Sequence, residues 1–139
     1  MTDKIMTQVG KPAGPLLLCD ASPPRNILVV DDDPDIRRIN AMVLHRAGYH
    51  VDTAEDGHAG WHAVSHAPES YALLITDHNM PGLTGLALVK KLRDARMTLP
   101  VIMATAALPE EDVFVRYPWL QPAVTLLKPY SAGQLLGTV

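Results

Sequence analysis

The chain has 139 residues, of which 47% are hydrophobic and 19% are charged, and its net charge is −3. This length and balance predict one globular domain with a sizeable core, and the charge gives no sign of a nucleic-acid-binding surface. The single cysteine, Cys19, excludes a disulfide framework, and the apolar run Leu16–Cys19 is too short for a signal peptide or a membrane span. We therefore expect a cytoplasmic protein that makes no contact with a membrane.

The first 24 residues contain four prolines and two glycines and show no sustained hydrophobic period. This composition is typical of a flexible leader or linker. We predict a leader over residues 1–24 and a folded domain over residues 25–139.

From residue 26 onward, short apolar runs alternate with segments of helical period. We predict strands over residues 26–31, 49–54, 72–76, 100–104 and 124–127, and helices over 34–47, 57–67 and 84–96 and from 131 onward. Strands that alternate with helices in this way predict an α/β fold, in which helices cover both faces of a parallel sheet.

The first helix has clear signals at both ends. Asp33 can cap its N-terminus, Pro34 suits the first helical position, and Gly48 suits the C-terminal stop. The spacing of its apolar residues predicts the side that faces the core, which comprises Ile36, Ile39, Ala41, Met42 and Val43.

The segment between the fourth and fifth strands breaks the rhythm, because it contains Pro109, Pro118 and Pro122. Proline inside a helix costs about 3 kcal/mol. We predict that the fourth helix is shortened or absent, with a turn or two at most over residues 110–116. Three apolar residues that follow are expected to cover the sheet edge, with a partner-binding patch as the alternative: Tyr117, Trp119 and Leu120.

Polar side chains stand where the predicted strands end. Asp31, Asp32 and Asp33 follow the first strand, and Asp77 follows the third. Thr105 follows the fourth strand and Lys128 the fifth, and ligands of open parallel sheets bind at this carboxyl edge. Carboxylates, a hydroxyl and an ammonium together suit a divalent cation and a phosphoryl group.

Four segments, in this order, resemble the receiver domain of two-component response regulators. They are residues 27–33 (Ile-Leu-Val-Val-Asp-Asp-Asp), 76–82 (Thr-Asp-His-Asn-Met-Pro-Gly), 103–106 (Met-Ala-Thr-Ala) and 127–130 (Leu-Lys-Pro-Tyr). The resemblance covers residues 26–139. It implies a flavodoxin-like, doubly wound, five-stranded parallel sheet in the order 2-1-3-4-5.

The resemblance also implies a role for each polar residue. Asp77 is expected to accept a phosphoryl group from a phosphohistidine, with Thr105 bonding a phosphoryl oxygen and Lys128 pairing with the phosphate. A carboxylate is a usable nucleophile towards phosphorus, and this chemistry depends on positioning and on charge neutralisation. A structural alternative for Asp77 is that it caps the turn that follows its strand.

A magnesium site follows from the same resemblance. Asp32 is expected to bind Mg²⁺ directly and Asp31 through a water, while Asp77 and the backbone carbonyl of Asn79 complete the protein ligands. Mg²⁺ prefers octahedral oxygen coordination and keeps several waters. Pro129 is expected to follow Lys128 through a cis bond, as it does in this family.

Three features depart from the family pattern. Thr125 stands where a switch aromatic is usual, the fourth helix looks degraded, and the last helix is short. The three histidines spaced four apart on the second helix, His58, His62 and His66, are interpreted as a polar stripe, because no nearby ligand completes a zinc site.

The sequence therefore predicts a phospho-accepting receiver, which is not a turnover enzyme on an external substrate. Its expected partner is a sensor histidine kinase or phosphotransfer protein, with a homodimer as a further option and no direct binding to nucleic acid. A degenerate receiver that acts only as a phosphorylation-independent binding module is the alternative. A metal-dependent phosphatase would need a second acid where Asn79 stands.

Overall fold

The computed structural model describes residues 26–106 and 111–139, so the predictions about residues 1–24 and 107–110 lie outside the described part. Strands and helices alternate along it: β1 (Asn26–Val30), α1 (Pro34–Arg46), β2 (His50–Ala54), α2 (Gly57–His66), β3 (Leu73–Thr76), α3 (Gly85–Asp94), β4 (Val101–Thr105), α4 (Glu111–Arg116), β5 (Val124–Leu127) and α5 (Ala132–Thr138). The predicted elements are present, with ends that differ by one or two residues.

The described strands form a five-stranded sheet in the order β2-β1-β3-β4-β5, and all neighbours run parallel. This is the flavodoxin-like order, in which a crevice opens at the carboxyl edge beside the first and third strands. The predicted fold class is confirmed.

Successive strand residues point to opposite faces of the sheet, and each face carries one hydrophobic core. On one face, α2 and α3 cover a core that contains Leu28, Val30, Leu74, Val101 and Met103 together with Val64, Leu88 and Leu92. On the other face, α1 and α5 cover a core that contains Ile27, Val29, Leu73, Ile75 and Ile102 together with Leu44 and Leu135.

The inward side predicted for α1 is wrong in part: Val43 packs against the core that α1 and α5 cover, but two of the other residues do not face it. Ile39 and Met42 are 49% and 45% exposed, and the buried residues of this helix are Asn40 and Leu44. These two residues lie four apart, so they share one face of the helix. Apolar spacing alone missed this face, because its central residue is a polar asparagine.

The predicted shortening of the fourth helix is confirmed. The helix α4 has six residues, and a single 3₁₀ turn over Pro118–Leu120 follows it. Of the three residues expected to cover the sheet edge, only Leu120 does so, with 6% of its surface exposed. Tyr117 and Trp119 are 41% and 54% exposed, and their rings pack edge to face against each other.

The expected signals at the ends of α1 are present. The Asp33 side chain accepts hydrogen bonds from the backbone N–H groups of Asp35 and Ile36, and Gly48 has a φ of +101°. That angle lies in the left-handed region that glycine adopts without steric cost.

Candidate functional site

Three carboxylates meet at the carboxyl edge of the sheet. β1 pairs with β3 in a register that aligns Val30 with Thr76, so the residues that follow both strands emerge side by side. Each of Asp31, Asp32 and Asp77 offers an oxygen within 4.8 Å of the others, and among the described residues they are the one such group of three or more potential ligands. Asp31 and Asp77 are buried at 2% and 6% exposure, whereas Asp32 is exposed.

The ammonium of Lys128, the residue that follows β5, contacts two of these carboxylates. Its Nζ donates to Asp31 Oδ2 at 2.9 Å and lies 3.6 Å from Asp77 Oδ2. The backbone N–H of Lys128 donates to the carbonyl of Thr105 at 2.9 Å, which fixes the start of the side chain at the tip of β4. The sequence placed this lysine at the end of β5, and the structure brings it to both acids.

Burial and charge oppose each other at Asp77. Burial raises the pKa of its carboxyl group, the positive charge of Lys128 lowers it, and the negative charge of Asp31 raises it again, so that the net shift is upward. Burial lowers the pKa of Lys128, but its hydrogen bond with Asp31 and the charges of Asp31 and Asp77 outweigh that effect and raise it. Lys128 therefore stays positively charged at neutral pH.

Thr105 and Asn79 complete the edge of the site. Thr105 is fully buried at the end of β4, and the Asn79 side-chain amide donates to its hydroxyl at 3.4 Å. The structure thus brings the Thr105 hydroxyl and the loop after β3 together. The binding of a cation by the Asn79 carbonyl stays a prediction.

His78 and Pro129 border the site. The ring Nδ1 of His78 accepts a hydrogen bond from the backbone N–H of Leu86 at 3.3 Å. Burial lowers the pKa of His78, although the charge of Asp77 opposes this shift. The Lys128–Pro129 peptide bond is cis, as the resemblance implies.

Sequence reasoning missed several residues that shape the site. Arg37 Nη1 donates to the backbone carbonyl of Asp31 at 2.7 Å, and Gly85 packs so closely that an added Cβ would meet the Asp77 carbonyl oxygen. Asn40 Nδ2 donates to the Tyr130 hydroxyl at 2.7 Å. A glycine at the first position of a helix was a readable signal for Gly85, whereas the other contacts depend on tertiary neighbours.

The acidic cluster fits a hard divalent cation. Its ligand atoms are carboxylate oxygens, the type that Mg²⁺ and Mn²⁺ prefer over nitrogen or sulfur. The histidines of α2 are arranged differently from these carboxylates: the rings of His62 and His66 contact each other, with centroids 4.0 Å apart.

In the described part of the chain, no helix combines the length and the apolar character that crossing a membrane requires.

Comparison with known proteins adds a family to this geometry. The family model of the response regulator receiver domain matches residues 27–139. Chemotaxis protein CheY1 of Helicobacter pylori is 46% identical over 82 residues, which cover 57% of this chain and 65% of that protein. Sensor protein EvgS of Escherichia coli is 43% identical over 81 residues, which cover 58% of this chain and 7% of that protein.

The chain thus spans less than two thirds of the length of these curated relatives. Among solved structures, chemotaxis protein CheY4 of Vibrio cholerae matches with a TM-score of 0.73 and 30% identity, over 83% of this chain and 95% of that one. Since the family model covers most of the sequence, the chain belongs to the response regulator receiver domain family of two-component signalling.

Proposed function

We propose that this receiver domain accepts a phosphoryl group on Asp77 from a sensor histidine kinase or a phosphotransfer protein, and changes conformation to signal. The observation that carries the proposal is the position of the Asp77 carboxylate. It is 6% exposed, lies within 4.8 Å of two further carboxylates, and has the Lys128 ammonium 3.6 Å away. Receiver domains are signalling modules, so turnover of an external substrate forms no part of the proposal.

In the proposed reaction, an Asp77 oxygen attacks phosphorus, and the P–N bond of the donor phosphohistidine breaks. The electron pair of that bond returns to the imidazole nitrogen, and an acyl phosphate forms on Asp77. Such transfers depend on positioning and charge neutralisation rather than on acid–base chemistry. Lys128 pairs with a phosphoryl oxygen as a point charge, and the Thr105 hydroxyl donates a hydrogen bond to another.

Lys128 bonds Asp31 more closely than Asp77, at 2.9 Å against 3.6 Å. The ammonium therefore neutralises mainly the neighbouring acid, Asp31. Receiver domains typically bind Mg²⁺ at an acidic site, and here Asp31, Asp32, Asp77 and the Asn79 carbonyl would hold it. When bound, Mg²⁺ supplies the positive charge that lets three carboxylates and a phosphoryl group share one site.

Acetyl phosphate tests acceptance without any kinase. Incubation with acetyl phosphate and Mg²⁺ should raise the intact mass by one phosphoryl group, and Asp77→Asn should abolish the increase. Asp35→Asn is the matched control, because Asp35 lies on the exposed side of α1 in an ion pair with Arg38. An unmodified wild-type mass would contradict the proposal.

The metal site has its own matched pair of variants. We expect Asp32→Ala to weaken Mg²⁺ or Mn²⁺ binding strongly and Asp35→Ala to leave it nearly unchanged, as measured by metal titration. Equal effects of the two substitutions would show that the cation binds elsewhere.

A phosphorylation-independent binding module is a second candidate, because α4 and the residues directly after it carry three exposed apolar side chains. Val115 is 82% exposed, and Tyr117 and Trp119 form an exposed aromatic pair. This surface would suit a protein partner or a second copy of the chain. If the Asp77→Asn variant binds such a partner as tightly as the wild type does, that result would favour the binding module.

The limits and the location of the domain also remain proposals. We infer a leader over residues 1–24, a receiver domain over residues 25–139 and a cytoplasmic location, all from the composition of the sequence. A variant that begins at Arg25 should keep the unfolding midpoint and the phosphoryl acceptance of the full chain.

A further inference from the structure

A buried polar contact joins α1 to the segment that follows β5. Asn40 is 4% exposed and lies on the core-facing side of α1, where an apolar residue would be expected. Its side-chain amide donates to the Tyr130 hydroxyl at 2.7 Å. A buried amide without a partner is costly, so this contact strongly favours one placement of the tyrosine.

The ring of Tyr130 is held at two points. It packs against the core that α1 and α5 cover, while its hydroxyl bonds Asn40. Burial raises the pKa of Tyr130, so the phenol stays protonated and can both accept from Asn40 and donate. The ring is therefore a fixed anchor for the backbone that carries it.

Lys128 lies two residues before this anchor. On its other side, the Lys128 backbone N–H is fixed to the Thr105 carbonyl at 2.9 Å. The lysine backbone is thus held between two hydrogen-bonded points, and its Nζ reaches Asp31 at 2.9 Å and Asp77 at 3.6 Å.

Packing between this segment and α1 is incomplete beside the Asn40–Tyr130 contact. A cavity of about 420 Å³ lies between them, and Ile36 and Ile39 line it from the helix while Ala106 and Pro129 line it from the opposite side. Because side chains do not fill this space, the Asn40–Tyr130 hydrogen bond restrains the segment in addition to the packing of the Tyr130 ring.

We propose that the Asn40–Tyr130 hydrogen bond positions Lys128 for phosphoryl acceptance, and that Asn40 and Tyr130 are therefore positioning residues of the site. The inference rests on the proposed function for its catalytic meaning, since Lys128 is the group that would pair with the phosphoryl oxygens. Neither residue touches the reacting atoms. They act through the placement of the lysine backbone.

Two variants separate positioning from stability. Tyr130→Phe removes only the hydroxyl and leaves the Asn40 amide buried without that partner, so it should lower both the urea midpoint and the rate of phosphorylation by acetyl phosphate, the rate by about tenfold. In the double variant Tyr130→Phe, Asn40→Leu, both polar partners are gone. Replacing both partners by apolar groups can be nearly neutral for stability.

The double variant should therefore recover the urea midpoint but not the phosphorylation rate. Tyr71→Phe is the matched control, because Tyr71 also bonds a side chain, Asp52 Oδ2, at 2.7 Å, but packs against the core on the other face of the sheet, which α2 and α3 cover. It should leave the phosphorylation rate unchanged. Recovery of rate and midpoint together in the double variant would show that the contact is merely structural.

A second measurement does not depend on phosphorylation. At a fixed pH, the Lys128 ammonium protons should be protected from exchange with water in the wild type and in Tyr71→Phe. That protection should fall in Tyr130→Phe and in the double variant, as measured by NMR of the lysine side chain. If neither the wild type nor any variant accepts a phosphoryl group, the proposed function fails. The exchange of the Lys128 ammonium protons still tests whether the hydrogen bond positions the lysine. Full protection in the double variant would overturn the inference.

Discussion

Gly85 shows how closely the backbone fits around Asp77. It is the first residue of α3, and its N–H donates to the carbonyl of His78 at 2.9 Å. A Cβ at this position would meet the Asp77 carbonyl oxygen and would lie 2.9 Å from the His78 Cα. Both contacts are with backbone, which cannot move aside as the end of a flexible side chain could.

We predict that Gly85→Ala lowers the free energy of unfolding by about 1–3 kcal/mol, since overpacking of this kind forces backbone shifts. It should also slow phosphoryl acceptance, because the shift displaces Asp77. Gly137→Ala is the control, as it lies within α5 and an added Cβ meets nothing within 4 Å. That change should raise stability by up to about 1 kcal/mol, and urea denaturation compares the two. Similar losses in both variants would contradict the explanation.

The residues that sequence reasoning found share one property, which is a polar side chain directly after an apolar run. Asp31, Asp77 and Lys128 could be predicted to lie together, because parallel strands bring their carboxyl ends to one edge. Asn40 and Tyr130 could not, because they are 90 residues apart in sequence and neither stands at a strand tip. Their contact depends on how α1 packs on the sheet.

At the scale of elements, capping and proline signals worked better than apolar spacing. Proline predicted the short α4, and Asp33 predicted the start of α1. The predicted inward side of α1 was wrong in part, because a hydrogen-bonded asparagine replaces an apolar residue at the centre of its buried side. The strand order came from the family resemblance, since patterns of single strands do not determine their neighbours.

Position 125 on β5 is an exposed threonine. Since it has no aromatic ring, a signal cannot travel by reorientation of a ring at this position. We predict that the signal travels instead through residues 106–122, which begin beside Thr105 and end beyond Leu120, a residue anchored in the core. Elements of low local stability are natural switching elements, and a six-residue helix is a weak one.

The route of the signal can be measured by amide hydrogen exchange with and without beryllofluoride, a phosphoryl mimic. We expect the largest change in exchange over residues 106–122, and no change in the Asp77→Asn variant. Changes concentrated in α1 or α2, with this segment unaltered, would show that the signal takes another route.

For the molecule as a whole, the buried carboxyl group of Asp77 lowers the free energy of unfolding at neutral pH. The folded state raises the pKa of Asp77 above its usual value, mainly through burial. The folded protein therefore binds more protons than the unfolded chain between the two pKa values. Stability from this group falls as pH rises through that window and stays reduced at neutral pH.

We predict that Asp77→Asn raises the free energy of unfolding at pH 7 in the absence of divalent cations, because the folded state no longer buries a charged carboxylate there. The gain should disappear as pH falls below the usual pKa of an aspartate, where the wild-type carboxyl is protonated in both states. Urea denaturation across this pH range measures it. Asp35→Asn, on an exposed ion pair, is the control, and a gain that persists at low pH would refute the electrostatic origin.

The order of the elements along the chain divides the polar groups of the site between two stretches of the sequence. Everything up to α3 supplies the three carboxylates, and everything from β4 onward supplies the hydroxyl and the ammonium. A break in the coding sequence near Thr98, in the connection between α3 and β4, would therefore yield two polypeptides of which neither holds a complete site. Acceptance of a phosphoryl group would then report the reassembly of the two fragments, which makes this chain a natural template for a split reporter.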